Sequence, residues 1–160
     1  PKVYGGFNTS LSWKGFDLSA IFAYSIGGYI YNRDITMILH NGSLEGRDWS
    51  TEILKRWTPD NRYTDVPALS TTSNNWNSAS TRFLQNNSYM RLKNLTLSYN
   101  LPKQWISKLS LSSVQVYVQG DNLFTIHRNQ GLDPEQGITG ITYYRYPAMR
   151  TISGGINVSF

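Results

Sequence analysis

The sequence predicts an all-β chain: an antiparallel transmembrane β-barrel segment with long loops at one end and one short loop helix. Three observations carry this reading. Apolar residues recur at every second position in five separate stretches, the signature of strands with two unlike faces. Each stretch runs about 8 to 13 residues, at or above the roughly 9 to 11 that a tilted strand needs to cross a bilayer. The connections alternate short, long, short, long, so an antiparallel sheet would gather tight turns at one end and long loops at the other.

The first two strands are expected near 4–13 and 16–27. Phe7, Thr9, Leu11 and Trp13 share one phase in GFNTSLSW, and Phe16, Leu18, Ala20, Phe22, Tyr24 and Ile26 share one phase in FDLSAIFAYSIG. Lys14 and Gly15 between them read as a two-residue hairpin turn. The pattern then dissolves over a long loop near 28–87, rich in Asn, Ser, Thr and Gly. That is far beyond the roughly 12 to 15 residues usual for structureless connections. Within it Trp49, Ile53, Leu54 and Trp57 fall on one helical face, with Asp48 as the expected N-cap and Pro59 as the stop.

A third strand is expected near 88–101, where Leu95, Leu97, Tyr99 and Leu101 oppose Asn94, Thr96, Ser98 and Asn100. The register shifts at MRLK as a bulge would shift it. The fourth, near 113–126, sets Val114, Val116, Val118, Phe124 and Ile126 against Gln115, Tyr117, Gln119, Asp121 and Thr125. A second long loop spans 127–147. The fifth strand, near 149–160, sets Ile152, Ile156, Val158 and Phe160 against Thr151, Ser153, Asn157 and Ser159.

The faces fit strands with lipid outside and a polar lumen inside, since one phase is aliphatic or aromatic and the other is amide and hydroxyl with few charges. Aromatics toward strand ends (Trp13, Phe16, Tyr24, Tyr99, Phe124, Phe160) suit interfacial girdles. A soluble antiparallel sheet with one wet face shows the same alternation. Strand length, loop asymmetry and the charge-poor polar face favour the barrel.

Composition narrows the function classes. Cysteine is absent, which removes disulfide frameworks and thiolate metal sites. Charged residues make up 16% of the chain and aromatics 14%, and the net charge of +5 is spread over scattered Lys and Arg. No basic run of the kind that marks a nucleic-acid partner is present. No signal peptide or transmembrane helix is apparent, and the chain begins at Pro1, so it reads as a piece of something longer. No acid, base and nucleophile set points to an enzyme. His40 and His127 are lone loop histidines, read as ordinary surface residues rather than metal ligands. Asp133 and Glu135 in GLDPEQG lack the regular oxygen spacing of a calcium loop, and a Pro-supported turn is the preferred reading. No phosphate-binding glycine loop opens a helix, and no cofactor is expected.

Taken in order, YGGFNTSLSWKGFDLSAIFAYSIGGYIYN from Tyr4, ILKRWTPDNRYTDVPAL from Ile53, SYMRLKNLTLSYNLP from Ser88, VQVYVQGDNLFTI from Val114, GLDPE from Gly131 and the final GGINVSF make a specific set. With these pieces the chain resembles the SusC/RagA type of TonB-linked (TonB-dependent) outer-membrane receptors over essentially its whole length. The resemblance implies the last five strands of a 22-stranded barrel in the cell outer membrane, with the loops near 28–87 and 127–147 extracellular. It implies nutrient import of glycan or peptide oligomers with a SusD-like surface lipoprotein as lid. It further implies a TonB complex engaged through N-terminal parts outside these residues, and outer-membrane lipid around the wall. Phe160 would be the aromatic strand end read as an assembly signal.

For recognition, Trp49, Trp57, Trp76, Tyr143 and Tyr144, with Tyr63 and Tyr146, are the loop aromatics that could meet substrate or the lid partner. Packing against the barrel rim, the lid or neighbouring loops is favoured over ligand contact for most of them. Tyr117, Gln119 and Asp121 are the lumen-facing candidates, for a transport path or for plug contacts. The competing reading is a soluble β-rich carbohydrate-binding module, in which the loop aromatics would form the site.

Overall fold

The computed structural model describes residues 1–40, 44–70, 72, 78–129, 133–135 and 139–160. The chain divides into two compact units: Pro1–Gly28, Asn86–Glu135 and Tyr146–Phe160 form one, and Tyr29–Gln85 with Gln136–Arg145 form the other.

The first unit is built on one antiparallel sheet. Its strands are β1 (Val3–Trp13), β2 (Phe16–Ile26), β5 (Tyr89–Asn100), β6 (Ser113–His127) and β8 (Thr151–Ser159), paired in that order. β1 and β2 are joined at Lys14 and Gly15, whose φ of 48° and 88° are both positive. Two positive φ values in a two-residue loop give the hairpin turn whose twist matches that of the strands, and glycine at the second position removes the Cβ clash there. The β5–β6 connection carries a short helix, α2 (Lys103–Ile106), and a 3₁₀ turn at Ser107–Leu109. Neither is apparent from the sequence pattern.

Register sorts the side chains. Trp13, Phe16, Tyr99 and Val116 lie in one cross-strand row, as do Leu11, Leu18, Leu97 and Val118, and Phe7, Phe22, Leu92 and Phe124. Val116 and Val114 continue onto Ile156 and Val158. Outside the bulge, this phase contains no charged residue in any of the five strands. Much of it is open to the surroundings, Leu11 at 67%, Ile152 at 72% and Ile156 at 64%. A soluble sandwich would cover such a face with a second sheet.

Phe7 stacks on Phe22 with ring centroids 4.7 Å apart, and Phe16 meets Tyr99 at 4.4 Å. The two aromatic rows are six positions apart along β1, about 20 Å at roughly 3.4 Å per residue. That is close to the roughly 25 Å apolar band of membrane barrels.

The bulge expected at MRLK is present. Opposite β2 the pairing steps from Asn94 to Leu92, which leaves Lys93 as the extra residue. β6 accommodates it by skipping Asn122 and Leu123, with Asn122 at φ 52°. Because β6 skips two residues, its parity is kept and Phe124 stays in phase with Val118.

The second unit holds a small sheet in the order β4 (Leu84–Asn86), β3 (Tyr29–Asn32) and β7 (Ile141–Thr142), followed from β3 by α1 (Arg33–Ile38). β3 and β7 are parallel, with Tyr31 opposite Ile141 and Asn32 opposite Thr142. The Asn32 side chain caps α1 by accepting from the Ile35 N–H at 3.1 Å.

The loop helix differs from the expectation. It is a 3₁₀ turn at Thr51–Lys55, capped by Ser50, whose hydroxyl accepts from the Glu52 N–H at 3.3 Å, rather than by Asp48. Nor is Pro59 its stop: the amide of Asn61 and the hydroxyl of Thr64 donate to the Lys55 carbonyl at 3.0 and 2.6 Å, taking up the group a longer helix would have used. At three residues per turn the predicted face does not form. Ile53 is buried against Val66, while Leu54 is 71% exposed.

Candidate functional site

On the polar face of the five-stranded sheet, short side chains bond one another across the strands. Asn157 donates to Gln115 at 3.2 Å and Gln115 donates to Ser98 at 3.2 Å. Asp121 accepts from the amide of Asn94 at 2.8 Å and from the amide of Gln119 at 3.2 Å, so two of the three lumen-facing candidates meet directly. Tyr117 stands in the same phase, and its ring lies over Gly155 of β8. A Cβ at Gly155 would come within 2.7 Å of the Tyr117 hydroxyl and 2.9 Å of its ring. Toward the hairpin turn, Asp17 accepts from the Ser12 hydroxyl at 2.5 Å and from Asn100 at 2.7 Å.

The most heavily constrained group on this face is Arg91 on β5, which the sequence reading did not single out. Its guanidinium donates to the Asp133 carboxylate, to Glu135 at 2.9 Å and to the Thr125 hydroxyl at 2.9 Å. The Arg91 and Asp133 side chains are 4% and 6% exposed. Lys93, the bulge residue, adds a second cation on Glu135 at 2.6 Å.

Asp133 also accepts from the backbone N–H groups of Ala148, at 2.6 Å, and Glu135, at 2.9 Å. Burial pushes its carboxyl up, but those two N–H groups and the Arg91 guanidinium outweigh it and hold the carboxyl below its ordinary value. The carboxylates of GLDPE thus engage protein cations. Pro134 between them is fully buried. Among the described residues no group of three or more His, Asp or Glu side chains could hold a metal ion.

The loop aromatics separate. Tyr143 and Tyr144 form a cluster, with ring centroids 4.3 Å apart. The Arg33 guanidinium lies 4.6 Å from the Tyr143 ring, Arg47 donates to the Tyr144 hydroxyl at 3.3 Å, and the Tyr144 N–H donates to Asp34 at 3.0 Å. Tyr144 sits at φ 47°, a left-handed conformation that costs a bulky residue energy and is held here by those contacts. Beside the cluster a pocket of about 390 Å³ is lined by Tyr31, Arg33, Thr36, Met37, Ala79 and Ile141.

Trp49 instead meets His40 edge-on at 5.3 Å. His40 is no surface histidine: it is fully buried, and its Nδ1 accepts from the Leu44 N–H at 3.4 Å. His127 is exposed and within 2.9 Å of the Asn129 carbonyl. Trp57 is half-exposed and its backbone N–H donates to Val66 at 2.7 Å. Tyr63 and Tyr146 stand free at 101% and 98% exposure. Trp76 lies outside the described residues. Phe160 follows β8 directly and is 93% exposed. No helix among the described residues is long and apolar enough to cross a membrane, which says nothing of a β-barrel, whose strands cross with alternating faces.

Comparison with known proteins gives consistent matches. No family model matches the chain. It is 34% identical over 171 aligned residues to TonB-dependent receptor P3 of Formosa agariphila, covering 100% of this chain and 16% of that protein. TonB-dependent receptor SusC of Bacteroides thetaiotaomicron is 28% identical over 159 residues, covering 99% of this chain and 15% of its own length. Among solved structures, the RagAB peptide importer in its open-open state superposes with a TM-score of 0.86 at 35% identity, over 98% of this chain and 17% of that one. The closed-closed state of that importer gives 0.83. The chain therefore spans about a sixth of the length of the relatives it matches. With its uncharged apolar strand face, its interlaced polar face and these relatives, the chain belongs to the SusC/RagA type of TonB-dependent receptors, as a C-terminal part of one.

Proposed function

We propose that this chain supplies part of the barrel wall and two extracellular loops of an outer-membrane importer that takes up glycan or peptide oligomers with a SusD-like lipoprotein as lid. In this reading the five strands are the last of a 22-stranded barrel, with the loops near 28–87 and 127–147 on the outer side. The observation that carries it is the strand face without a charge, formed by five strands in register. Lipid accepts such a face, whereas water penalises it.

The work of this region is mechanical. Substrate is held between lid and plug, the TonB complex displaces the plug, and the wall must keep its shape meanwhile. The side-chain bonds from Asn157 to Ser98 and from Asn94 to Asp121 brace the lumen side. Tyr117, Gln119 and Asp121 face the transport path or the plug, and the loop aromatics meet lid or substrate. Phe160 marks the strand end for insertion.

The test is growth and uptake by cells carrying or lacking the full receptor gene, with a defined oligopeptide or oligosaccharide mixture as nutrient. Loss of uptake in both the receptor-null and the TonB-null strain is expected. A receptor recovered in the soluble fraction, or uptake indifferent to TonB, would overturn the proposal.

A further inference from the structure

We infer that the pocket bounded by α1, β3 and β7 is a subsite for the free C-terminal carboxylate of an oligopeptide, with Arg33 as its anion-binding group. This deepens the import reading and rests on it. The pocket's volume of about 390 Å³ suits one terminal residue of a chain, toward the lower end of the roughly 300 to 1,000 Å³ of small-ligand sites.

Its lining is chemically lopsided. Met37, Ala79 and Ile141 are apolar, and the buried Thr36 hydroxyl is committed to the Arg33 carbonyl at 2.6 Å. That leaves the Arg33 guanidinium and the Tyr31 hydroxyl as the donors, and among the described residues neither has a hydrogen-bond or ion-pair partner.

The guanidinium is nonetheless held in place, because it stacks against Tyr143 at 4.6 Å. The neighbouring carboxylate, Asp34, accepts from the Tyr144 N–H at 3.0 Å and forms no ion pair with Arg33 among the described residues. A positioned guanidinium with free N–H groups takes a carboxylate through paired bonds. The apolar remainder takes the side chain next to that carboxylate. A neutral sugar fits poorly, since its hydroxyls need acceptors as well as donors and, among the described residues, the lining holds no carboxylate or carboxamide side chain.

The full receptor, purified in detergent, is titrated with a short labelled oligopeptide ending in leucine, as the free acid and as the C-terminal amide, and with a uronate-ended oligosaccharide. The free acid is expected to bind about tenfold tighter than the amide. Arg33→Ala should erase that difference, Arg33→Lys should restore part of it, and Ala79→Trp, at an exposed position, should weaken both peptides by filling the pocket. Unchanged acid-over-amide preference in Arg33→Ala overturns the subsite and leaves import standing. Arg33-dependent binding of the uronate oligomer without peptide binding overturns the peptide assignment in favour of an acidic glycan. If the folded wild-type receptor binds none of the three, the import reading falls with the subsite.

Discussion

Arg91 and Asp133, 42 positions apart in sequence, form a buried ion pair that fastens the second long loop to the near end of the central strand β5. The same carboxylate holds the N–H of Ala148, just before β8. Both stems of that loop therefore meet at one side chain.

Breaking this tether from one side leaves a buried charge without its partner, which costs about 3 to 5 kcal/mol. Arg91→Met in the full receptor should therefore raise hydrogen exchange at Glu135 and Ala148, whose N–H groups donate to Asp133, while Arg91→Lys, which keeps a cation beside that carboxylate, retains much of the protection. Equal exchange in wild type and Arg91→Met would remove the tethering role.

The sign of the pH dependence follows from the depressed carboxyl of Asp133. A group whose folded pKa lies below the unfolded value, about 3.9 for Asp, contributes stability that is fully present above that value. It is lost as pH falls through the lowered one. Protection at Ala148 should be flat from neutral pH to about 5 and should fall only in stronger acid. Asp133→Asn should lack the acid step.

The ring of Tyr117 occupies the space a side chain at Gly155 would need. Gly155→Val should lower the receptor's heat-denaturation midpoint, with a cost of about 1 to 3 kcal/mol from overpacking. Tyr117→Ala in the same chain should restore much of the loss, a coupling that independent sites would not give.

The two faces of β5 can be told apart by adding one charge to each. Leu97→Arg on the apolar face should cost about 2 to 4 kcal/mol if it sits near the bilayer midplane. Thr96→Arg on the polar face should cost much less. Folding into lipid vesicles followed by gel shift reads both, and equal losses would count against lipid on the Leu97 side.

Phe160→Asp should lower the amount of receptor in the outer membrane without changing its synthesis, measured by fractionation and pulse labelling. Normal surface abundance would remove the assembly role proposed for it.

The five long strands and their phases are legible in sequence because alternation is a local property. Phe7, Phe22 and Phe124 announce their face by their near neighbours alone. The bulge at Lys93 is legible for the same reason, as a break in that count. The second unit is not. β3 and β7 meet through only Tyr31 with Ile141 and Asn32 with Thr142, too few residues for any period to show. α1 is one short helix whose cap, Asn32, belongs to a strand. The Arg91 cluster was hidden because its members come from a strand and a distant loop. His40 was misjudged because nothing in its own neighbourhood signals burial.

The parallel pairing of β3 with β7 also bears on inheritance. Tyr29–Gln85 comes from one long loop and Gln136–Arg145 from the other, yet Tyr144 reaches back to Asp34 and to Arg47. A graft that moved only one of these loops into a related receptor would sever a sheet and strand half of a cluster. The two segments fold as one compact unit, and an exchange between this chain and a related receptor is expected to keep that unit intact only when both halves travel together.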